Sequence, residues 1–365
     1  MKNFLAYIII FFLFTNCKIP IAKNHFMSIN HTDKNIVYEG RIGKNADHTA
    51  QEIYWSGSSI KINFEGTTVK AILKDENGKN YFNVIIDGTK FDTLSLNPEK
   101  NTYTLAKDLP SGKHSVELTK RNEWTYGTTL FYGFEILGTK ILPKDEEKSV
   151  FIEFYGDSIT TGHGNEDYSG DDKSEGDVTN NYNTYAAMTA RNINAEYSCI
   201  ARGGIGIMVS WFNMIMPEMY YRLNPNDVNS KWDFSKKQAD IMVVNLFQND
   251  SWILNRPDYV EFKQRFKDQK PNEKQIIKAY GTFIKTLREK NPTASIVCVL
   301  GNMDITKKGS LWPEYVQTAI NALNDKKIHT CFVPYKNTKG HPKVEEHKVI
   351  AKALTQLIKS KIMIN

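Results

Sequence analysis

Four short segments carry the side chains that could do chemistry. Tyr155-Gly156-Asp157-Ser158-Ile159-Thr160 closes an apolar run. A Ser in a tight Gly-Asp-Ser turn at a strand's carboxyl end exposes its hydroxyl as a nucleophile and aims nearby backbone N–H groups into the same space. The pair Asp157-Ser158 would serve equally as a helix cap. Ala201-Arg202-Gly203-Gly204-Ile205-Gly206 ends a second apolar run. Glycine there lets the backbone approach a ligand and leaves a bare N–H for an oxyanion, although an ordinary turn uses the same residues. Val243-Val244-Asn245-Leu246-Phe247-Gln248-Asn249-Asp250 ends a third run and brings the side-chain amide of Asn249. His341, in Asn337-Thr338-Lys339-Gly340-His341-Pro342, follows the last run and is either a general base or a surface imidazole. A hydroxyl, amide donors and an imidazole are the parts of acyl transfer through a covalent intermediate.

The elements that must position these groups change character near residue 145. Before it the chain reads as all-β. Ser59-Ile60-Lys61-Ile62-Asn63-Phe64 alternates with period two, Val69–Leu73 follows after Glu65-Gly66-Thr67, and Tyr81–Ile86 runs into Asp87-Gly88, a hairpin signal. Leu109-Pro110-Ser111-Gly112 marks another turn before His114–Leu118. Short strands with regular turns predict a sandwich or jelly roll. Beyond residue 145, apolar runs at 150–155, 195–201, 240–246, 294–300 and 328–333 alternate with amphipathic segments at 184–193, 208–222, 274–290, 312–324 and 344–361. That pattern predicts an α/β domain whose parallel sheet is covered on both faces, with ligands beyond the carboxyl ends of its strands. The expected divisions are a signal segment at 1–17, a polar tether at 18–33, a β domain at 34–142 and an α/β domain at 143–365.

Taken together, Gly-Asp-Ser, Gly, Asn-Asp and His-Pro each follow a successive strand, and their order resembles the SGNH (GDSL) hydrolase superfamily over about residues 149–360. The resemblance implies a flavodoxin-like three-layer sandwich with Ser158 as nucleophile and His341 as base. The backbone amides of Ser158 and Gly204 and the side chain of Asn249 would form the oxyanion hole, with Gly203 and Gly206 as alternatives to Gly204. The front segments Tyr38-Glu39-Gly40-Arg41, Trp55-Ser56-Gly57-Ser58, Asp87-Gly88, Gly112-Lys113-His114, Lys120-Arg121-Asn122-Glu123 and Gly133-Phe134-Glu135 resemble the jelly-roll domain of carbohydrate esterase family 2. Thr161–Asn165 and Asn183–Ala187 fit as well. Membership would imply removal of acetyl groups from xylan or other polysaccharides.

Two departures stand out. Such families usually place Gly two residues before the Asn, where this chain has Phe247, whose ring could narrow the acyl pocket or turn away. The usual Asp two or three residues before the catalytic His is replaced by Lys339 or Thr338. The resemblance allows a backbone carbonyl to orient His341 instead, so no carboxylate is expected from the loop of His341 itself; Asp304 is a more distant candidate. His163, His347 and the front-domain histidines rival His341, with His163 a candidate lining residue of the cleft. Trp211, Trp252 and Asp250 are expected to touch substrate, the tryptophans by stacking on sugar rings or else by packing in the core.

Composition narrows the classes. The 365 residues hold 47 basic and 41 acidic side chains, a formal charge of +6 with no basic stripe, so a nucleic-acid partner is not expected. Met1-Lys2-Asn3, the apolar run Phe4–Phe14 and Leu13-Phe14-Thr15-Asn16-Cys17 read as a signal peptide ending in a lipobox-like sequence. Cys17 would then be acylated and would anchor the protein to a bacterial envelope membrane. Cys199, Cys298 and Cys331 sit in or beside apolar runs without CxxC or metal spacing and read as core thiols. No cofactor and no metal are expected, the partner is an acetylated carbohydrate, and the chain is expected to be a monomer. A carbohydrate-binding protein with a decayed site, and an esterase acting on some other ester, are the competing readings.

Overall fold

The computed structural model describes residues 25–363. The signal segment and Cys17 lie outside the described residues. The front of the chain forms ten strands: β1 (Phe26–Asn30), β2 (Val37–Glu39), β3 (Ile42–Lys44), β4 (Gln51–Ile53), β5 (Ser59–Asp75), β6 (Tyr81–Ile86), β7 (Lys90–Ser95), β8 (Asn101–Ala106), β9 (Lys113–Lys120) and β10 (Thr129–Ile141). The expected tether thus contributes a strand. β1 pairs antiparallel with β10, and Ile29 joins the core opposite Phe134.

The organising strand is β5. Its alternating Ile60, Ile62 and Phe64 point into the core while Lys61 and Asn63 face outward, the period-two signature of a half-buried strand. The Glu65-Gly66-Thr67 segment, which separates two strand-like runs in the sequence, does not break it. Gly66 faces Gly138 of β10 across a bulge, and a Cβ on Gly66 would lie 2.5 Å from the Leu137 carbonyl. With two glycines in register the strand bends instead of reversing. Its first half pairs with β9 and its second half with β8. The β6–β7 hairpin turns at Asp87-Gly88, with φ of 52° and 68°, the doubly left-handed turn that matches strand twist.

The second half is a five-stranded parallel sheet, β11 (Phe151–Gly156), β12 (Glu196–Ala201), β13 (Ile241–Asn245), β14 (Ser295–Leu300) and β15 (Ile328–Phe332), in the order β12-β11-β13-β14-β15. These are the five apolar runs of the sequence, each wholly or nearly wholly buried along β11 to β14. The helices are α1 (Ser158–Thr161), α2 (Tyr185–Asn192), α3 (Met216–Met219), α4 (Gln248–Ile253), α5 (Val260–Phe266), α6 (Glu273–Lys290), α7 (Trp312–Leu323) and α8 (Val344–Lys361). Separate apolar clusters line the two faces of the sheet. The segment 208–222, expected as a helix, supplies only the single turn α3. No helix among the described residues is long and apolar enough to cross a membrane. Cys199, Cys298 and Cys331 are buried free thiols.

A buried ion pair joins the halves. Arg41, fully buried, lies 2.9 Å from Glu153 of β11 and donates to the Tyr220 and Arg222 carbonyls at 2.6 and 2.9 Å. Removing one partner of such a pair strands a charge, at a cost of about 3–5 kcal/mol.

His347, on α8, is one of the histidines that rivalled His341, and it has a structural task. Its Nδ1 accepts the Tyr185 N–H at 3.2 Å, fastening α8 to α2. Burial, with the His341 charge in the same direction, lowers its pKa from 6.5 to about 3. The unfolded chain therefore takes up this proton first, so the group's contribution to stability is full above pH 6.5 and is lost as pH falls toward 3. In His347→Asn, which keeps an acceptor but cannot titrate, the stability deficit relative to wild type should shrink by about 1 kcal/mol or more between pH 7 and pH 4. Denaturant melts at both pH values test this; a constant deficit contradicts it.

Candidate active site

The sheet order changes direction at β11, and the three strands β12, β11 and β13 end side by side. β11 delivers Gly156, Asp157 and Ser158. A Cβ on Gly156 would lie 1.9 Å from Thr160 Oγ1, so only glycine lets the chain fold this tightly into α1. Asp157 caps that turn through Oδ1, which accepts the Ile159 N–H at 3.0 Å. Asp157 thus supplies the cap, and the Ser158 side chain is left to face the cavity. Ser158 Oγ lies 2.9 Å from Nε2 of His341, which stands on the segment between β15 and α8.

His341 has a carboxylate partner from outside its own loop. Nδ1 lies 2.7 Å from Oδ2 of Asp172, and the His341 backbone N–H donates to Oδ1 at 2.9 Å. Burial alone would raise the Asp172 carboxyl, but the hydrogen bond and charge of His341, with the backbone donor, hold it well below the usual carboxylate range. Asp172 comes from neither the loop of His341 nor the position of Asp304, whose carboxylate instead accepts the Trp252 indole N–H at 3.3 Å. Its loop, 165–180, is built by Asp167, which accepts Ser169 and Lys173 N–H groups, and by the mutual Asn165–Asn180 hydrogen bonds. Asp172 itself has φ 59°, a left-handed conformation that Asp tolerates better than most residues. Gly340 makes room for it: a Cβ there would lie 2.9 Å from Oδ1. The chain offered no spacing signal for this acid, since Asp167, Asp171 and Asp172 share one short polar loop.

The β domain fastens that loop. Arg121 donates to Glu166 at 2.6 Å and to the Asp177 carbonyl at 2.8 Å, and Tyr126 Oη donates to the Ser174 carbonyl at 2.7 Å.

His163 lies beside the base, its ring centroid 4.2 Å from that of His341. Burial, then the His341 charge, lowers its pKa to about 4, so it stays neutral where His341 works. The absence of a metal was expected from spacing along the chain. In space, donor atoms of His163, Asp172 and His341 lie within 4.8 Å of one another, but those of His341 and Asp172 are engaged with each other and with Ser158.

Of the three glycines after β12, two have their N–H groups occupied. Gly203 donates to Glu123 Oε2 at 2.6 Å and Gly206 to Ser210 Oγ at 2.9 Å. The Gly204 N–H has no partner among the described residues, and Gly204 lines the cavity with Ser158 and Asn249. The amide of Asn249 is oriented from both sides. The Trp211 indole N–H donates to its Oδ1 at 2.9 Å, and its Nδ2 donates to the Ile205 carbonyl at 2.9 Å; a flipped amide would face like against like at both contacts. The second Nδ2 proton has only a long 3.4 Å contact with Asp157 and is the one free to serve a ligand.

Asp250 does not reach substrate. It is fully buried, and its carboxylate accepts the N–H groups of Ile207, Met208 and Val209 at 3.0, 2.6 and 3.1 Å. These bonds hold the loop after Gly204. Burial raises the Asp250 carboxyl to about 6 and that of Asp157 to about 7. Trp211 and Trp252 do line the cavity, which encloses about 440 Å³ and receives Asn77, Lys79, Glu123, Thr125 and Tyr126 from the β domain.

Phe247 turns away from this space. Its ring is fully buried against Tyr280 and Trp312, with centroids 4.8 and 4.9 Å distant. Its φ is 83°, the left-handed region where glycine is at ease. The preference for glycine here is thus one of backbone conformation, and aromatic packing holds the strained turn in this chain.

The fold and the cleft are those of the carbohydrate esterases, hydrolases of carboxylic esters. A family model described as "Carbohydrate esterase 2 N-terminal" matches residues 38–144. The chain is 31% identical to a solved family two carbohydrate esterase from Clostridium thermocellum in complex with cellohexaose, covering 90% of this chain and 99% of that one with a TM-score of 0.79. It is 33% identical over 90% of its length to the "Cellulase/esterase CelE" of Acetivibrio thermocellus, of which it spans 39%. It is also 25% identical to an "Acetylxylan esterase / glucomannan deacetylase" of Cellvibrio japonicus, over 90% of each chain. The chain belongs to carbohydrate esterase family 2.

Truncating Phe247 should expose the strain in its turn. Phe247→Ala is expected to lose about 3–5 kcal/mol of stability. Phe247→Gly, which loses the same ring but accepts the left-handed backbone, should be about 1 kcal/mol more stable than the Ala variant, the reverse of the usual order. Chemical denaturation of the two variants decides the order.

Proposed function

We propose that the protein is a serine esterase that removes O-acetyl groups from a polysaccharide or oligosaccharide. The observation that carries this reading is the line Ser158 Oγ, His341 Nε2 and Nδ1, Asp172 Oδ2, with separations of 2.9 and 2.7 Å at the floor of a cavity. Ser158 Oγ attacks the acetyl carbonyl and its proton passes to His341 Nε2. Asp172 fixes the tautomer and stabilises the imidazolium. The N–H groups of Ser158 and Gly204 and the Asn249 amide receive the oxyanion. As the C–O bond to the sugar breaks, His341 returns the proton to the sugar oxygen. Water, deprotonated by His341, then releases acetate from the acyl-enzyme and frees Ser158. No step calls for a cofactor.

A non-catalytic binding protein would be favoured by a blocked acyl pocket or an unsupported base. Phe247 lies outside the cavity, and Asp172 meets His341, so neither ground for that reading remains.

Acetate release from acetylated xylan, glucomannan and pectin, with p-nitrophenyl acetate as reference, tests the reading. Ser158→Ala should fall to background. Asn249→Ala should lower kcat by about 10²–10³-fold, the scale of one oxyanion donor. Asp172→Asn, which presents an N–H to Nδ1 and favours the wrong tautomer, should lower kcat by about 10³–10⁴-fold with little change in KM. Normal turnover by folded Ser158→Ala, or by folded Asp172→Asn, contradicts the respective role.

The N-terminal sequence supports export and acylation at Cys17, which would anchor the esterase to a bacterial envelope membrane. Intact mass spectrometry of the membrane fraction should find a lipid-modified chain beginning at Cys17; an unmodified mature chain beginning elsewhere excludes the anchor.

A further inference from the structure

The mechanism leaves two charged groups of the cavity, Lys79 and Glu123, without a task. Glu123 is the only carboxylate among the described residues that line it. It stands not on the parallel sheet but on the β domain, directly after β9. Its position is fixed from both sides. The Asn122 side chain accepts the Tyr81 N–H at 3.1 Å and donates to the Lys79 carbonyl at 3.0 Å, and Lys120 Nζ donates to the backbone carbonyl of Glu123 at 3.3 Å.

The carboxylate itself is only partly satisfied. Oε2 accepts the Gly203 N–H at 2.6 Å and Oε1 accepts the Thr125 hydroxyl at 2.5 Å. A carboxylate offers about four acceptor sites, so two stay open. No Lys, Arg or His among the described residues pairs with it within 4.0 Å. It also stands beside the nucleophile. A Cβ built on Gly203 would lie 3.3 Å from Glu123 Oε2 and 3.7 Å from Ser158 Cβ, so acid and nucleophile flank the same glycine.

An unpaired anion at this place has two chemical consequences. It accepts hydroxyl protons in short charge-assisted hydrogen bonds, about twice as strong as neutral ones. It also repels any second carboxylate brought to the same space. A 1,4-linked pyranoside acetylated at O2 or O3 carries one free hydroxyl on a carbon next to the ester, and an aryl leaving group carries none.

We propose that Glu123 reads the leaving group: it accepts a hydrogen bond from a free hydroxyl next to the acetylated carbon, and it selects neutral glycosides over uronates. The proposal rests on the esterase reading above and names the substrate class of that site as neutral, hydroxyl-bearing pyranosides. The β domain is thereby part of the specificity site, contributing through a loop that the parallel sheet does not supply.

The test compares wild type with Glu123→Gln, which keeps the size and an oxygen acceptor for Gly203 but removes the charge. Three esters serve as substrates: acetylated xylo-oligosaccharide, acetylated oligogalacturonide and p-nitrophenyl acetate. The expected result is a fall in kcat/KM on the xylo-oligosaccharide about 10- to 100-fold greater than on p-nitrophenyl acetate, the range for a hydrogen bond to a charged group. The preference for the neutral over the uronate ester should narrow as well. An equal fall on the xylo-oligosaccharide and p-nitrophenyl acetate would show that Glu123 acts through Gly203 on the oxyanion side, and it overturns the proposal while leaving the esterase reading intact. No fall on the oligosaccharide overturns it too. A wild-type protein that cleaves p-nitrophenyl acetate but releases acetate from no carbohydrate overturns both readings.

Discussion

The side chain of Arg121 is the point on which the arrangement of the cleft depends. It has five N–H donors and finds five acceptors: the Gly176 and Asp177 carbonyls and Glu166 on one side, Asn83 and Thr93 on the other. It is 4% exposed, so its own donors depend on these acceptors rather than on solvent. The planar fork of arginine matches this set, and a lysine could not. Through these bonds the β domain grips the loop that carries Asp172. Glu166 spreads the grip further, accepting from Asn180 and Asn183 at 2.7 Å each. Two residues after Arg121 the same loop places Glu123 against Gly203.

The parallel sheet supplies the rest with little freedom left over. β11, β12 and β13 are each buried on both faces, and their ends present a serine, a glycine and an asparagine at one edge. Several of the polar groups beneath these ends are bonded to one another. Asp250 takes three backbone donors, Trp211 holds Asn249, and Asp157 caps α1. A polar network in a region of low dielectric is rigid when complete, which is what donors waiting for a transient charge require.

Much of this was legible in the sequence because it follows from local rules. Apolar runs of six or seven residues separated by amphipathic stretches gave the parallel sheet, and Ser158, Asn249 and His341 stand at the ends of elements whose periodicity is clear. What stayed hidden depends on contacts distant along the chain. Asp172 shares a polar loop with Asp167 and Asp171, and only the approach of His341, 169 residues away, distinguishes it. Asp250 reads as an acid beside a catalytic amide until the loop 207–209 folds onto it. The segment 208–222 has the spacing of a helix, yet it supplies only the single turn α3. Glu65-Gly66-Thr67 separates two strand-like runs in the sequence, and only Gly138 in the opposite register makes it a bend. Phe247 broke a family pattern whose cause is a torsion angle, which no residue name reveals.

The separation of Ser158, Asp172 and His341 along the chain has a kinetic meaning. Ser158 and His341 lie 183 residues apart, and the loop of Asp172 takes its shape from a strand pair that precedes it. Contacts of such sequence separation form late, after the entropy of closing long loops has been overcome. Ser158, Asp172 and His341 all stand on the α/β half, but the loop of Asp172 is fastened by Arg121 and Tyr126 of the β half, so a molecule whose halves have not docked holds Asp172 less firmly against His341. Esterase turnover during refolding would therefore be a clock for the docking of the two halves rather than for the formation of either, and the enzyme would report its own completion.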